Sequence, residues 1–324
     1  MVGVAQLVEP RVVISAVVGS SPIVHPISRT AGLLGLFAGL ALWAGGTGSV
    51  SAAPPQSPQA VPKLFVAGDS TASFYNPNPK NQQGWGAVLQ PLFEESKLQV
   101  VDVARGGRSS RTFITEGHWD RMLADVHAGD FVIIQFGHND SGAVNVEPPG
   151  STRPLRARGT IPGIGNESEA IDNVITGKHE TVYSFGWYLR KMIADTRAKG
   201  ATPILLTLTK TNSWHDGRIH CDTESYRPWT WQTAVNEKVA FVDLTRIVAD
   251  RFQREGPEAV TAQFIDDTTH TNITGAEANA RDVVAGLRAI KSLPFKAMLS
   301  KTGRAVDADR GPPKISVCPE LQSP

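Results

Sequence analysis

The chain has 324 residues, of which 41% are hydrophobic, enough to bury one sizeable core. Lys and Arg total 32 and Asp and Glu total 31, so the chain lacks the strong charge that attracts nucleic acid or anionic lipid. The composition therefore argues against a nucleic-acid-binding protein, a disordered chain or a membrane array, and favours a small or neutral substrate.

The first 26 residues are predicted to be a spurious N-terminal extension. They show neither helical nor strand periodicity over a useful length, and they resemble the translation of a transfer-RNA gene. No Met occurs between Met1 and Met122, so we expect translation to start near Val24, at a codon other than ATG.

A signal peptide is predicted to follow this extension and to end near residue 52. An apolar run spans residues 31–44 after Arg29, and the small residues that follow it favour cleavage after Ala52 or Ala53. A transmembrane anchor is the alternative, but such a helix needs roughly 20 apolar residues. We therefore expect a secreted or periplasmic protein with no stable membrane insertion after cleavage.

Residues 63–295, which follow a Pro-, Gln- and Ser-rich linker at 53–62, alternate short apolar runs with amphipathic segments. This alternation predicts a single α/β domain, a three-layer α/β/α sandwich around a mainly five-stranded parallel sheet. The predicted strands are Lys63–Ala67, Gln99–Val103, Phe131–Phe136, Pro203–Leu208 and Phe241–Asp243. The predicted helices are Trp85–Ser96, Tyr183–Lys199, Thr230–Val239 and Gly275–Leu293. Residues 296–324 are expected to form an irregular C-terminal tail.

Two long, weakly patterned stretches are expected to be loops. Gly142–Gly177 is rich in Gly and Pro, and Lys210–Pro228 follows the fourth predicted strand. Loops at the carboxyl ends of parallel strands line the ligand crevice of such sheets. Both stretches are therefore candidate walls of a substrate site.

The only two cysteines are Cys221 and Cys318, which lack the spacing of a metal site or a CxxC redox motif. In an exported protein they can form one disulfide. The alternative is two free, partly buried thiols, and spacing alone does not decide between them.

The first two of four short motifs follow the first two predicted strands. Gly68-Asp69-Ser70 places a serine at a strand-to-helix turn, where its hydroxyl can face the crevice, although all three are also ordinary turn residues. Residues 104–111, ARGGRSSR, contain paired glycines that allow a backbone N–H to approach an oxyanion closely. A glycine turn with solvated arginines is the alternative for this second motif.

The other two motifs follow the third strand and precede the last helix. Within FGHND, residues 136–140, Asn139 can aim its amide at developing negative charge, with a simple Asx-type turn as the alternative. Within DTTHTN, residues 267–272, Asp267 can hold the Nδ1–H of His270, leaving Nε2 to accept a proton from a serine. Parallel strands bring all four motifs to one sheet edge, and this coincidence favours a serine hydrolase over four unrelated turns.

These four blocks resemble those of the SGNH (GDSL-type) hydrolase superfamily, named for its Ser, Gly, Asn and His. Within it the chain resembles the rhamnogalacturonan acetylesterases, whose blocks read much like GDSTA, AxGGRSSR, FGHND and DxTHTN, with a Gly-Trp-Gly segment that matches residues 84–86. The resemblance spans residues 61–287 and implies the flavodoxin-like SGNH hydrolase fold. The chain lacks the GxSxG motif and has its Asp and His close together, unlike α/β-hydrolase lipases.

The resemblance also implies roles for individual residues. Ser70 is the implied nucleophile, His270 the base and Asp267 the acid that orients the base. The implied oxyanion hole consists of the backbone N–H of Ser70, the backbone N–H of Gly107 and the side chain of Asn139, with the glycine before Gly107 as a neighbouring alternative.

The implied function is that of a secreted serine esterase, which removes O-acetyl groups from plant cell-wall polysaccharide, above all rhamnogalacturonan in pectin, by two-step acyl transfer. Its partner is then an acetylated polysaccharide or oligosaccharide, and we expect a monomer without metal or cofactor. One alternative is an SGNH lysophospholipase or thioesterase, which requires an apolar acyl channel. The other is a catalytically silent carbohydrate-binding protein, which the complete triad and oxyanion set argue against.

Other histidines, tryptophans and arginines give weaker indications of function than the four motifs do. Five histidines form no recognisable ligand cluster: His118, His138, His179, His215 and His220. Three tryptophans in or beside the second long loop favour packing over sugar stacking: Trp214, Trp229 and Trp231. Five arginines can bind galacturonate carboxylates, although solvated surface is favoured for any one of them: Arg108, Arg111, Arg153, Arg156 and Arg158.

Overall fold

A computed structural model describes residues 60–152, 154–221, 226–313 and 316–321. The predicted N-terminal extension, start site and signal peptide and most of the linker lie outside these residues. Within them, no helix is long and apolar enough to cross a membrane.

A five-stranded parallel sheet carries the site. The strands of the described residues are, in chain order, β1 (Lys63–Gly68), β2 (Gln99–Asp102), β3 (Phe131–Gln135), β4 (Ser168–Asp172), β5 (His179–Tyr183), β6 (Thr202–Leu206), β7 (Trp214–His215), β8 (Arg218–Ile219) and β9 (Ala240–Val242). The parallel sheet has the order β2-β1-β3-β6-β9, whereas β4 with β5 and β7 with β8 form antiparallel hairpins. Each of the five sheet strands overlaps a predicted one, so the parallel sheet is confirmed.

Helices cover both faces of this sheet. They are α1 (Ser110–Thr115), α2 (His118–Ala124), α3 (Phe185–Ala198), α4 (Tyr226–Glu237), α5 (Leu244–Glu255), α6 (Pro257–Thr261), α7 (Ile273–Ala289), α8 (Phe295–Met298) and α9 (Lys301–Arg304). Successive residues of β1 enter opposite apolar cores: Leu64 and Val66 pack with α5 and α7, and Phe65 and Ala67 pack with α1 to α4. The predicted three-layer α/β/α sandwich is confirmed.

The helix predicted from Trp85 to Ser96 is wrong, because two short 3-10 turns take its place. The first N–H groups of this segment donate to the turn after β1, that of Trp85 to the carbonyl of Thr71 at 3.0 Å, and later ones make the i to i−3 bonds of 3-10 turns, such as Val88 to Trp85 at 3.3 Å. Pro91 also lacks the N–H that a continuing α-helix needs. The two turns are Gly86–Val88 and Gln90–Leu92.

The C-terminal segment is tied to the domain. The region expected to be irregular begins with α8 and α9, and Phe295 and Leu299 are fully buried. A disulfide joins Cys221 to Cys318, whose Cα atoms are 5.1 Å apart although 97 residues separate them in sequence. The sequence left a disulfide and two free thiols open, and the structure has the disulfide.

Candidate active site

Ser70 lies in the turn that follows β1, at the carboxyl edge of the sheet. Asp69 braces this turn, because its carboxylate accepts from the backbone N–H of Thr71 at 2.9 Å and from the Thr71 hydroxyl at 2.8 Å. The phenol of Tyr75 donates to the carbonyl of Ser70 at 3.1 Å. Asp69 is fully buried and Ser70 is 7% exposed, so the serine is held in a rigid turn with little freedom to move.

The segment Gly84-Trp85-Gly86 supports the same turn from outside. The N–H of Gly84 donates to the carbonyl of Ser73 at 3.0 Å, and the N–H of Gly86 donates to that of Ala72 at 3.0 Å. The side chain of Trp85 is fully buried. The sequence resemblance pointed to this segment without a role, and the structure shows it as a backbone brace for the residues after Ser70.

His270 lies between Ser70 and Asp267. Its Nε2 atom is 2.9 Å from the Oγ of Ser70, and its Nδ1 atom is 2.5 Å from Oδ2 of Asp267. The second carboxylate oxygen of Asp267 accepts from the backbone N–H groups of Thr269 and His270, both at 2.7 Å. Burial alone would raise the pKa of Asp267, but the hydrogen bonds from His270 and Thr269 outweigh it and lower the pKa. An ionised Asp267 holds Nδ1 as the donor and leaves Nε2 free to accept the Ser70 proton.

Three potential oxyanion donors line one cleft of about 670 Å³ together with His270: Ser70, Gly107 and Asn139. Gly107 has a φ of +78°, in the left-handed region that favours glycine. The amide of Asn139 donates to the carbonyl of Arg108 at 2.9 Å, which leaves its second N–H for the cleft. Within the described residues, the backbone N–H groups of Ser70 and Gly107 have no acceptor. The structure thus brings together every residue to which the sequence assigned a chemical role.

The FGHND motif is fixed by its last residue. Asp140 accepts from the backbone N–H of Ser110 at 3.1 Å and from the Ser110 hydroxyl at 2.5 Å, and burial raises its pKa to about 7. His138 lines the cleft, its Nε2 lies 3.2 Å from the Thr209 hydroxyl, and burial lowers its pKa. Asp140 therefore ties the loop that carries Asn139 to the start of α1, beside the glycine motif.

The wall loop, which is the described part of residues 144–158, forms one side of the cleft. The residues that flank it meet, because a Cβ on Gly159 would lie 1.9 Å from the carbonyl oxygen of Gly142, so only glycine fits there. Arg111 supports the loop from behind by donating to the carbonyls of Val144 at 2.7 Å and Gly159 at 2.8 Å. The wall is therefore fixed at its base to the helix that begins in the glycine motif.

The five arginines considered from the sequence fall in different places. Arg111 is fully buried and ion-paired, so the expectation that it can meet a substrate carboxylate is wrong. Arg108 forms a surface ion pair at 2.9 Å and does not line the cleft. Arg156 and Arg158 do line it. Arg153 lies outside the described residues.

The three tryptophans and the possible metal ligands considered from the sequence can also be placed in the structure. Trp214, Trp229 and Trp231 are half-buried, and the first two pack against the apolar cores, as the packing interpretation predicted. In the described part of the chain, no three His, Cys, Asp or Glu side chains converge into a group that could hold a metal ion.

Two contacts that position the site were not predicted from the sequence. Tyr75 holds the Ser70 turn, and Arg158 donates from Nη1 to the carbonyl of Gly107 at 2.9 Å. Neither residue belongs to a recognisable motif. Only their positions in the sequence could have indicated these contacts: Tyr75 comes five residues after Ser70, and Arg158 lies in a loop expected to line the crevice.

Comparison with known proteins agrees with this geometry. A model of the GDSL-like lipase/acylhydrolase family matches residues 66–278, which contain the Ser70 turn, Gly107, Asn139 and the loop with Asp267 and His270. The chain belongs to this family. It is a carboxylic ester hydrolase, and the resemblance inferred from the four sequence blocks is confirmed.

The chain is similar to several named proteins. It is 31% identical over 243 residues to the probable rhamnogalacturonan acetylesterase YesY of Bacillus subtilis, which covers 74% of this chain and 97% of YesY. It is 29% identical over 217 residues to the rhamnogalacturonan acetylesterase of Emericella nidulans, covering 67% and 81% of the two chains. The crystal structure of Bacillus subtilis YxiM matches with a TM-score of 0.55 at 27% identity, over 72% of this chain and 58% of that one. The match thus spans little more than half of the YxiM structure.

Proposed function

We propose that this hydrolase is an exported carbohydrate O-acetylesterase that deacetylates rhamnogalacturonan. The observation that carries the chemistry is the line of contacts from Ser70 through His270 to Asp267, at 2.9 and 2.5 Å. The likeness to rhamnogalacturonan acetylesterases supports the substrate. The disulfide between Cys221 and Cys318 supports export, since disulfides persist mainly in oxidising compartments.

The first half of the proposed reaction acylates Ser70. Its hydroxyl oxygen attacks the acetyl carbonyl while Nε2 of His270 takes the proton, and Asp267 stabilises the resulting imidazolium. The N–H groups of Ser70 and Gly107 and the amide of Asn139 hold the negative oxygen of the tetrahedral intermediate. The bond from carbon to the sugar oxygen then breaks, and His270 returns its proton to the departing sugar alcohol.

The second half releases acetate. Water takes the place of the sugar, His270 accepts a proton from it, and the oxygen of the water attacks the acetyl carbon of the acyl-enzyme. The same three donors hold the second tetrahedral intermediate. Its collapse breaks the bond to Ser70, which recovers its proton from His270, and acetic acid leaves as acetate.

The lining of the cleft supports a short acyl group. Among the described residues that form it, none is Val, Leu, Ile, Met or Phe, and the lining apolar residues are small, such as Ala143 and Pro154. A lysophospholipase or thioesterase binds a long acyl chain, which needs apolar walls. We therefore expect p-nitrophenyl acetate to be hydrolysed with a much higher kcat/KM than p-nitrophenyl octanoate, and the reverse preference would favour the lysophospholipase alternative.

The decisive test is acetate release from acetylated pectin, xylan and mannan fractions by the purified enzyme. We expect the highest kcat/KM on rhamnogalacturonan-rich pectin. Ser70→Ala is expected to lower kcat by about 10⁴ or more, because a triad without its nucleophile retains little activity. Ser292→Ala, which changes an exposed serine after α7, is the matched control. No preference for pectin would contradict the substrate, and full activity of Ser70→Ala would contradict the mechanism.

We also propose that the protein is exported and that it is a monomer. Export predicts that protein recovered outside the cytoplasm begins near residue 53, and N-terminal sequencing would detect this. A mature protein that begins within residues 1–30 would contradict cleavage near Ala52. Light scattering of the purified enzyme tests the monomer.

A further inference from the structure

Two arginines of the wall loop converge beside the glycine of the oxyanion hole. The Nη1 atom of Arg158 lies 3.4 Å, and that of Arg156 3.9 Å, from the point that a Cβ on Gly107 would occupy. Both arginines line the same cleft as Ser70 and His270. Two guanidinium groups therefore meet at one spot next to the nucleophile.

These two arginines have no acidic partner among the described residues. The one carboxylate among the described residues of the cleft lining belongs to Glu147, and it accepts from the Ser151 hydroxyl at 3.1 Å. The recorded hydrogen bond of Arg158 is to the carbonyl of Gly107. Buried arginines elsewhere in the fold are each paired with a carboxylate: Arg111, Arg227, Arg246 and Arg251.

Two cations placed together without an ion-paired carboxylate repel each other. Burial lowers the pKa of Arg158, and the neighbouring charge of Arg156 lowers it further, while the more distant carboxylates of Asp69 and Asp140 offset only part of this effect. Arg158 is half-buried whereas Arg156 is exposed, so the pair has one fixed member and one that a ligand can reach from solvent. An anion bound between them would relieve the repulsion and make charge-assisted hydrogen bonds to both.

We propose that Arg156 and Arg158 form a subsite for the carboxylate of a uronic acid residue, bound beside the acetyl group that Ser70 attacks. This inference rests on the proposed function and adds which chemical group of the polymer the enzyme recognises. A guanidinium fork matches the two oxygens of a carboxylate, and Arg156 has its donors available for that geometry. The subsite makes the enzyme selective for acidic over neutral acetylated chains.

The test compares one acetylated, uronic-acid-containing oligosaccharide as its free acid and as its methyl ester. Methyl esterification removes the negative charge and leaves the acetyl ester in place. In the wild type, kcat/KM for the free acid should exceed that for the methyl ester by about 10- to 100-fold, the usual effect of a hydrogen-bonded charge. Arg156→Gln should bring this ratio close to one. Arg281→Gln, on the exposed face of α7 and outside the cleft, is the control and should keep the wild-type ratio.

The results of this test distinguish failure of the subsite from failure of the proposed function. A wild-type ratio near one, or an Arg156→Gln ratio equal to that of the wild type, overturns the subsite. Failure of the wild type to release acetate from either form counts against the proposed function, because both forms carry the acetyl group. Circular dichroism of the variant checks that it is folded.

A second measurement does not depend on turnover of the polymer. Free galacturonate should inhibit the hydrolysis of p-nitrophenyl acetate competitively, and galactose, which lacks the carboxylate, should inhibit at least tenfold less strongly. Arg156→Gln and Arg158→Lys should each raise the inhibition constant of galacturonate, by about tenfold for the former. Equal inhibition by the two sugars would overturn the subsite.

Discussion

Gln83 and Thr271 exchange two hydrogen bonds across 188 residues of sequence. The N–H of Gln83 donates to the carbonyl of Thr271 at 2.8 Å, and the Thr271 hydroxyl donates to the carbonyl of Gln83 at 2.8 Å. Thr271 follows His270 directly, and Gln83 precedes the segment that bonds to the turn after Ser70. The pair therefore connects the backbone that carries His270 to the backbone that carries Ser70.

Removing one of these bonds should misplace the base. Thr271→Val keeps the shape of the side chain and leaves the carbonyl of Gln83 without its side-chain donor. We expect it to lower the free energy of unfolding by about 1 kcal/mol and kcat by about tenfold, with KM little changed. Kinetics on p-nitrophenyl acetate and urea unfolding measure both effects. Thr271→Ser keeps the hydroxyl and should therefore have wild-type stability and kcat. If Thr271→Val loses stability but keeps the wild-type kcat, the role of Thr271 is structural only.

The conformation of Gly107 should matter for catalysis as well as for stability. Gly107→Ala places a side chain at a φ of +78°, which costs an L-residue about 1–2 kcal/mol, so the backbone is expected to rotate away. Its N–H then leaves the oxyanion hole, and kcat should fall by about 10²-fold.

Gly129 offers a matched control for this variant. It has a φ of +90°, and nothing lies within 4 Å of the Cβ that alanine would add. Gly129→Ala should therefore carry a similar backbone cost and keep the wild-type kcat. Equal losses of kcat in the two variants would exclude an oxyanion role for Gly107.

Asp102 should make stability depend on pH. One of its carboxylate oxygens is buried without a partner, and burial raises its pKa from 3.8 to about 7. The folded protein therefore binds this proton more tightly than the unfolded chain does. The stabilisation is full below about pH 4 and is lost as the pH rises through about 7.

Asp102→Asn removes this titration. The Tm of Asp102→Asn minus that of the wild type should be more positive at pH 8 than at pH 5. We expect this change to be at least about 2 °C, which corresponds to about 1 kcal/mol in a domain of this size. Differential scanning calorimetry at the two pH values measures this. Asp307→Asn, which changes an exposed carboxylate, is the control, and a difference independent of pH would contradict the prediction.

The disulfide should stabilise the fold without contributing to the chemistry. Replacing both Cys221 and Cys318 by Ser removes a cross-link over 97 residues and should lower the free energy of unfolding by about 2–4 kcal/mol. Neither cysteine lines the cleft, so kcat on p-nitrophenyl acetate should stay within about twofold of the wild type. Urea unfolding of the wild type in reducing buffer should match that of the double variant, and a stable double variant would contradict this role.

Sheet and site were predictable because their signals are local. A buried parallel strand has a continuous apolar run, such as Phe131 to Ile134 in β3, and the candidate site residues lie in short blocks, three of which directly follow such runs. The segment from Trp85 has apolar spacing typical of a helix, but its backbone donates to a turn that the spacing does not reveal. Strand β4, which lies inside the expected loop 142–177, and strand β5, which follows that loop, are mostly exposed, so they lack the apolar alternation that would have marked them as strands.

Because Gly142 and Gly159 meet at the base of the wall loop, the chain between residues 146 and 152 is separated by that contact from the residues on either side of the loop. We therefore expect its length and charge to tolerate change while Asn139 stays in place, since Asp140 beside it is held by Ser110. Exchanging this stretch of the loop should therefore change the substrate preference, provided that Arg158 or an equivalent donor still bonds to the carbonyl of Gly107. The same contact between Gly142 and Gly159 is a suitable boundary at which to graft a foreign loop onto this hydrolase.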